Sequence, residues 1–191
     1  MTVSDFIAAL QREASSGVPG GAPPVERWNP AFCGDSFIEI LADGTWRHEG
    51  VRMTRESLVR LFASILRKDE DGITYLVTPV EKVSVKVADA PFLAVRADRE
   101  GEGRDQTIAF TTNVGDVAAA GPERPLRVEM RDGEPRPYVL VRMRLEARIL
   151  RAPFYELVEW AQEEDTPEGP RLGVWCQGAF FPLGPVGAHL Q

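Results

Sequence analysis

The sequence predicts an α+β protein: two structurally similar β-β-α-β-β units joined by a β-hairpin, with mainly antiparallel sheet. Three observations predict it. The order strand–turn–strand–helix–strand–strand runs from FIEILADGTW through TRESLVRLFASIL to TYLVTPVEKVSVKV. It returns from LRVEMRDGEPRPYVLVRMRLEARI through PFYELVEWAQEE to LGVWCQGAFFPLG. Each copy carries an Asp-Gly pair between its first strands, Asp43-Gly44 and Asp132-Gly133, the strongest short-range hairpin signal.

The elements follow in chain order. Residues 3–14 read as a short amphipathic helix with Phe6, Ile7 and Leu10 on one face and Thr2 with Asp5 as a capping box. The Gly/Pro-rich stretch SSGVPGGAPPVER reads as a flexible linker. Residues 1–27 thus form an N-terminal helix and linker, 28–90 the first unit, and 91–191 the connecting hairpin and the second unit. In the first unit Thr54 is placed to cap a helix from Arg55 to Leu66, with Met53 stapled onto Leu58. Its buried stripe is Leu58, Leu61, Phe62, Ile65 and Leu66. Asp71-Gly72 ends the connection, ITYLV follows, Pro79 makes a corner, and KVSVKV alternates. FLAVRA and QTIAFTTN form the connecting hairpin; the GEG between them lacks a following helix and is a turn. In the second unit one long strand is expected, with Val139, Val141, Met143, Leu145, Ala147 and Ile149 facing the core. Arg142, Arg144, Glu146 and Arg148 line its other face. A helix begins near Pro153, with Phe154, Leu157, Val158 and Ala161 as its apolar stripe.

Composition narrows the function classes. The chain has 191 residues, 43% hydrophobic and 27% charged, as in globular proteins. Its net charge of -7 argues against general nucleic-acid binding, which needs clustered cations. No apolar run approaches the ~20 residues of a membrane span, and the first residues lack the pattern of a signal peptide. The expectation is a cytoplasmic protein with neither nucleic-acid nor membrane partners; oligomeric state is not legible. Cys33 and Cys176 read as reduced, non-catalytic thiols.

Chemistry is sparsely marked. His48 and His189 are the two histidines, and neither has Cys or carboxylate partners at metal-ligand spacing, so no metal, cofactor or catalytic residue is assigned. Arginine supplies 19 of the 22 cations, a bias that reflects either genome composition or recognition of planar anions, which arginine grips better than lysine. Arg142, Arg144 and Arg148, with Arg151 beyond, can clamp an anion or stand as a solvated face. Glu81 in TPVEK sits at a strand start after Pro79, as a ligand-facing group or a corner residue. Asn113 in FTTN can bind a polar ligand or occupy a left-handed turn position.

These stretches resemble the bacterial domain-of-unknown-function family 1285. The resemblance is carried by WNPAFCGDSFIEILADGTW, TRESLVRLFASILRKDEDGITYLVTPVEK, VADAPFLAV, FTTNVGD, EPRPYVLVRMRLEARILRAPFYELVE and GAFFPLG, over residues 28–184. It implies two α+β parts with repeated motifs and a role in signalling or regulation, without an established activity. The leading reading is a non-enzymatic cytoplasmic binding or regulatory module. A small anion or acidic peptide would sit in a polar groove between the units, with Arg142, Arg148, Arg55, Glu81, Asn113 and Tyr138 as lining residues. An enzyme using carboxylates in that groove and a protein-interaction scaffold stand as alternatives.

Overall fold

A computed structural model describes residues 23–187. The N-terminal helix expected over 3–14 and His189 lie outside the described residues. The described chain divides into two compact units, 23–39 with 46–86 and 40–45 with 87–187.

The first unit opens with a 3-10 turn at Val25–Arg27, whose Val25 is buried. Six strands follow: β1 (Phe32–Ile40), β2 (Trp46–His48), β3 (Val51–Arg52), β4 (Leu66–Lys68), β5 (Thr74–Val77) and β6 (Lys82–Val87), with helix α1 (Glu56–Ser64) between β3 and β4. They form one sheet in the order β3-β2-β1-β6-β5-β4. The helix therefore leaves from one edge strand and returns to the other. Phe62 is buried and Leu58 and Leu61 are half-buried on the helix, which ends at Ser64 rather than Leu66: Ile65 is its C-cap, and Leu66, buried, belongs to β4 opposite Leu76. The cap differs from the expectation: Arg55, not Thr54, is the N-cap, with no side-chain hydrogen bond. The Arg55 carbonyl instead accepts from the Leu58 and Val59 amides.

The second unit contains β7 (Phe92–Glu100), β8 (Thr107–Thr112), β9 (Val117–Ala119), β10 (Leu126–Arg131), β11 (Glu134–Arg142), β12 (Leu145–Ile149), helix α2 (Arg151–Trp160), β13 (Gln162–Thr166), β14 (Gly169–Cys176) and β15 (Ala179–Pro185). One sheet runs β10-β11-β12-β7-β8-β9 and a second runs β13-β14-β15. β12 lies parallel to β7; the other pairs of this unit are antiparallel. The connecting hairpin β7–β8 thus supplies strands to this sheet. Its core gathers Phe92, Ile108, Phe110, Val139, Leu145, Ala147 and Leu157.

The α+β class, the division into two parts and the mainly antiparallel sheet are as the sequence predicts. Three strands rather than two flank each helix on either side, β1–β3 and β4–β6 about α1 and β10–β12 and β13–β15 about α2, with β7–β9 preceding the second set. The joins differ: in the first unit the two three-strand runs share a sheet through β1 and β6, whereas in the second they lie in separate sheets.

The long strand expected through residue 149 is a hairpin. β11 and β12 are antiparallel, with Val139 opposite Ala147 and Arg142 opposite Leu145. Met143 turns the chain at φ 50. The Asp-Gly turns fall as expected. In the first, the Leu41 carbonyl accepts from Gly44 N at 2.9 Å. Gly44 has φ 80, which favours glycine, and a Cβ there would lie 2.8 Å from Leu93 Cδ1 and 3.0 Å from Asn113 Nδ2, so those side-chain ends would have to shift.

Candidate functional site

Register assembles the densest group of polar side chains in the second unit. Arg127 on β10 is directly opposite Tyr138 on β11, and Tyr138 is directly opposite Arg148 on β12. Directly paired residues project to one side of a sheet, so these three form a row across three strands. The Arg127 guanidinium stacks 4.3 Å from the Tyr138 ring centroid, a cation–π contact. Its Nε and Nη2 donate to the two oxygens of Glu146 at 2.7 and 2.8 Å, a bidentate fork.

The row converges on Asp89, in the segment between β6 and β7. The Asp89 side chain is 5% exposed. Tyr138 donates its hydroxyl to Asp89 Oδ1 at 2.7 Å. Arg148 Nη1 lies 3.4 Å from Oδ2, and Arg148 Nη2 donates to the Ala42 carbonyl at 2.9 Å. Arg131 Nη1 stands 3.8 Å from Oδ1. A buried carboxylate needs paired charge and hydrogen bonds together. Oδ1 has its donor, but Oδ2 is buried with no hydrogen-bond partner, leaving it only the longer ion-pair contact.

Electrostatics follow this geometry. Burial first, then the bond to Asp89, pushes the Tyr138 hydroxyl above its ordinary pKa. Hydrogen bonds from Arg131 and Arg127 hold the Glu129 carboxyl below its ordinary value. The bond to Glu146 chiefly drives Arg127 still higher, so it stays protonated. The three arginines Arg127, Arg131 and Arg148 face three acids, Glu146, Glu129 and Asp89. Each arginine of this group is thus matched by an acid.

The remaining expected site residues have other surroundings within their own units. Arg142 ion-pairs with Asp116 and stacks 5.0 Å from the Phe92 ring centroid. Because β11 and β12 are separate strands, Arg142 and Arg148 do not alternate along one strand as expected. Asn113 accepts from the Leu93 amide through Oδ1 at 3.0 Å; the left-handed position in its turn is Gly115, φ 94, not Asn113. Arg55 is exposed at the start of α1. Glu81 donates its amide to Thr78 Oγ1 at 3.0 Å, so its backbone closes the Pro79 corner. Arg55 and Glu81 belong to the first unit, Arg142, Arg148, Asn113 and Tyr138 to the second. Of the six expected residues, Tyr138 and Arg148 share a centre. Asp89, its hub, is among the residues sequence reasoning passed over. The available signal was an acid set just before Ala90-Pro91 in an otherwise apolar approach to β7.

Cys33 is exposed and Cys176 buried, both free thiols, and burial pushes the Cys176 thiol up to about 12. Among the described residues no group of three or more His, Cys, Asp or Glu is placed to hold a metal ion. Nor is any helix long and apolar enough to cross a membrane.

Fold and site together define a two-part α+β protein whose second part carries an arginine–tyrosine row around a buried aspartate. The chain belongs to the DUF1285 family. Residues 23–90 match its N-terminal domain, described as a domain of unknown function, and residues 91–183 its C-terminal domain, described as a protein of unknown function. The crystal structure of a DUF1285 family protein from Silicibacter pomeroyi DSS-3 is similar, with 46% identity, a TM-score of 0.82, and coverage of 93% of this chain and 95% of that one. A DUF1285 family protein from Shewanella baltica OS155 shares 28% identity at a TM-score of 0.52, covering 65% of this chain and 91% of that one. No curated protein matches.

Proposed function

We propose that this chain is a non-enzymatic binding module of a bacterial cytoplasm with a regulatory or signalling role. Its ligand is a small anion or an acidic peptide segment, held at the Asp89–Tyr138–Arg148 centre. The observation that carries this reading is the approach of two guanidiniums, Arg131 and Arg148, to the single carboxylate of Asp89. Arg148 is fixed at Ala42 by one hydrogen bond and fastened to Asp89 from one side, which orients its remaining N–H groups for a second acceptor. A guanidinium oriented in advance loses less freedom when it grips a planar carboxylate.

The reading is tested by titrating succinate into isotope-labelled protein and following the amides of residues 127–131, 138 and 148 by NMR. Saturable shifts are expected, and Arg148→Lys should weaken them about tenfold by removing the fork, with the dispersed spectrum of the fold retained. Amides that stay unmoved up to high succinate would refute it.

A further inference from the structure

A second arginine pair lies in the first unit. The β2–β3 hairpin sets Arg47 directly opposite Arg52. Both are exposed, and direct pairing sends both side chains to one side of the hairpin. The turn between them, Glu49-Gly50, has φ 49 and 79. Two successive positive torsions match the turn type whose twist suits a two-residue hairpin, so register and pairing are preset.

Like charges directly opposite destabilise a strand pair. Among the described residues neither arginine has an ion-pair or hydrogen-bond partner for its side chain. The nearby Glu39 is engaged by Lys86 at 2.8 Å, and that bond is the first cause of its lowered pKa, with Arg47 a minor one. Lys86 also feels Asp35. Glu39 and Asp35 thus both act on Lys86, while Glu49 lies in the turn itself. The hairpin's burial falls on Trp46 of β2, not on the arginines: both are exposed, β3 is an edge strand and Val51 is 71% exposed. In a chain of net charge -7, two guanidiniums are opposed with no ion pair or hydrogen bond among the described residues to offset their repulsion.

We propose that Arg47 and Arg52 form an oxyanion subsite for the phosphoryl group of a small phosphate monoester. A dianionic tetrahedral group matches the paired charge and accepts from both forks at once. The subsite is independent of the Asp89 centre, and each stands if the other fails.

The test is NMR titration with phenyl phosphate at constant ionic strength, with sodium acetate and sodium chloride as controls, in the wild type, Arg52→Gln, Arg47→Gln and Arg148→Lys. Saturable shifts of the amides of residues 46–53 are expected with phenyl phosphate and weaker ones with acetate. Either Gln variant should lose about tenfold or more in affinity, whereas Arg148→Lys should bind at this site as the wild type does. Removal of the repulsion should leave Arg52→Gln at least as stable as the wild type in phosphate-free buffer, so that lost binding cannot be attributed to lost fold. Equal responses to chloride and phosphate, wild-type affinity in Arg52→Gln, or a lower melting temperature of that variant without phosphate would each overturn the proposal.

Discussion

Asp89 shows how much one side chain organises. Its carboxylate joins Tyr138 of β11 and Arg148 of β12 to the segment entering β7. Asp89→Ala should cost about 3 kcal/mol, near the lower end for breaking a buried pair because Arg148 keeps some contact with water. Urea denaturation measures this, and a loss below ~1 kcal/mol would show that Tyr138 and Arg148 find other partners. Phe62, 1% exposed on α1, should cost about 3–5 kcal/mol as Phe62→Ala, since its site cannot collapse around so large a void. Cys176 gives a pH-dependent case. Burial disfavours its thiolate and raises its folded pKa from 9.0 to about 12. The neutral thiol is the form the fold accepts. Its stabilisation is therefore complete below the unfolded value and is lost as pH rises toward about 12. Iodoacetamide at pH 8 should label Cys33 in the folded protein and reach Cys176 only after denaturation. Two alkylated thiols in the folded protein would contradict the burial.

The β11–β12 hairpin shows why elements are legible unevenly. Alternation of Val139, Val141, Leu145, Ala147 and Ile149 correctly marked the buried face, yet it could not distinguish one strand from two. Partners such as Val139 and Ala147, or Leu140 and Glu146, have numbers of equal parity because of the irregularity between Leu140 and Arg142. Odd positions on both arms therefore share a face, and the period of two passes through the turn unbroken. The turn itself is Met143-Arg144, with no Gly, Asn or Asp to announce it. Where turn chemistry was explicit, at Asp43-Gly44, Asp71-Gly72 and Asp132-Gly133, the chain turns as read. The same distinction decides what was visible of the site. Arg148 and Tyr138 could be singled out as residue types, but their meeting at Asp89 depends on a parallel β12–β7 pairing that no local pattern encodes. Met143 carries a further consequence. A non-glycine residue at φ 50 bears a left-handed cost of about 1–2 kcal/mol, partly offset by the flexibility glycine adds to the unfolded chain. Met143→Gly should thus be neutral or stabilising by up to ~1 kcal/mol in thermal denaturation. In a continuous strand the same change would destabilise by about 0.5–1 kcal/mol.

At the scale of the whole molecule, sequence order and compact units do not coincide. The family's two domains meet between residues 90 and 91, but residues 40–45 belong structurally with 87–187. That turn is built into the second unit by several bonds. Gly44 packs where a Cβ would meet Leu93 and Asn113, the Ile40 carbonyl accepts from Ala88 N at 2.9 Å, and Ala42 holds Arg148. A fragment of residues 91–187 lacks all of these together with Asp89. It leaves the Tyr138 hydroxyl without its partner and Leu93 uncovered, while Arg148 loses both of its anchors. Each unmet buried polar group costs on the order of 1–3 kcal/mol, and the sum rivals the ~5–15 kcal/mol stability of an ordinary domain. The fragment is therefore expected to give a collapsed NMR spectrum or a broad, non-cooperative melt. Starting the fragment at residue 87 restores Asp89 and should recover part of the cooperativity. Adding residues 40–45 in trans as a peptide should raise the melting temperature of that longer fragment further, through mass action on the folded form. If residues 91–187 alone melt as sharply as the full chain, the turn at 40–45 contributes nothing to this unit, and the second unit ends where the family domain begins.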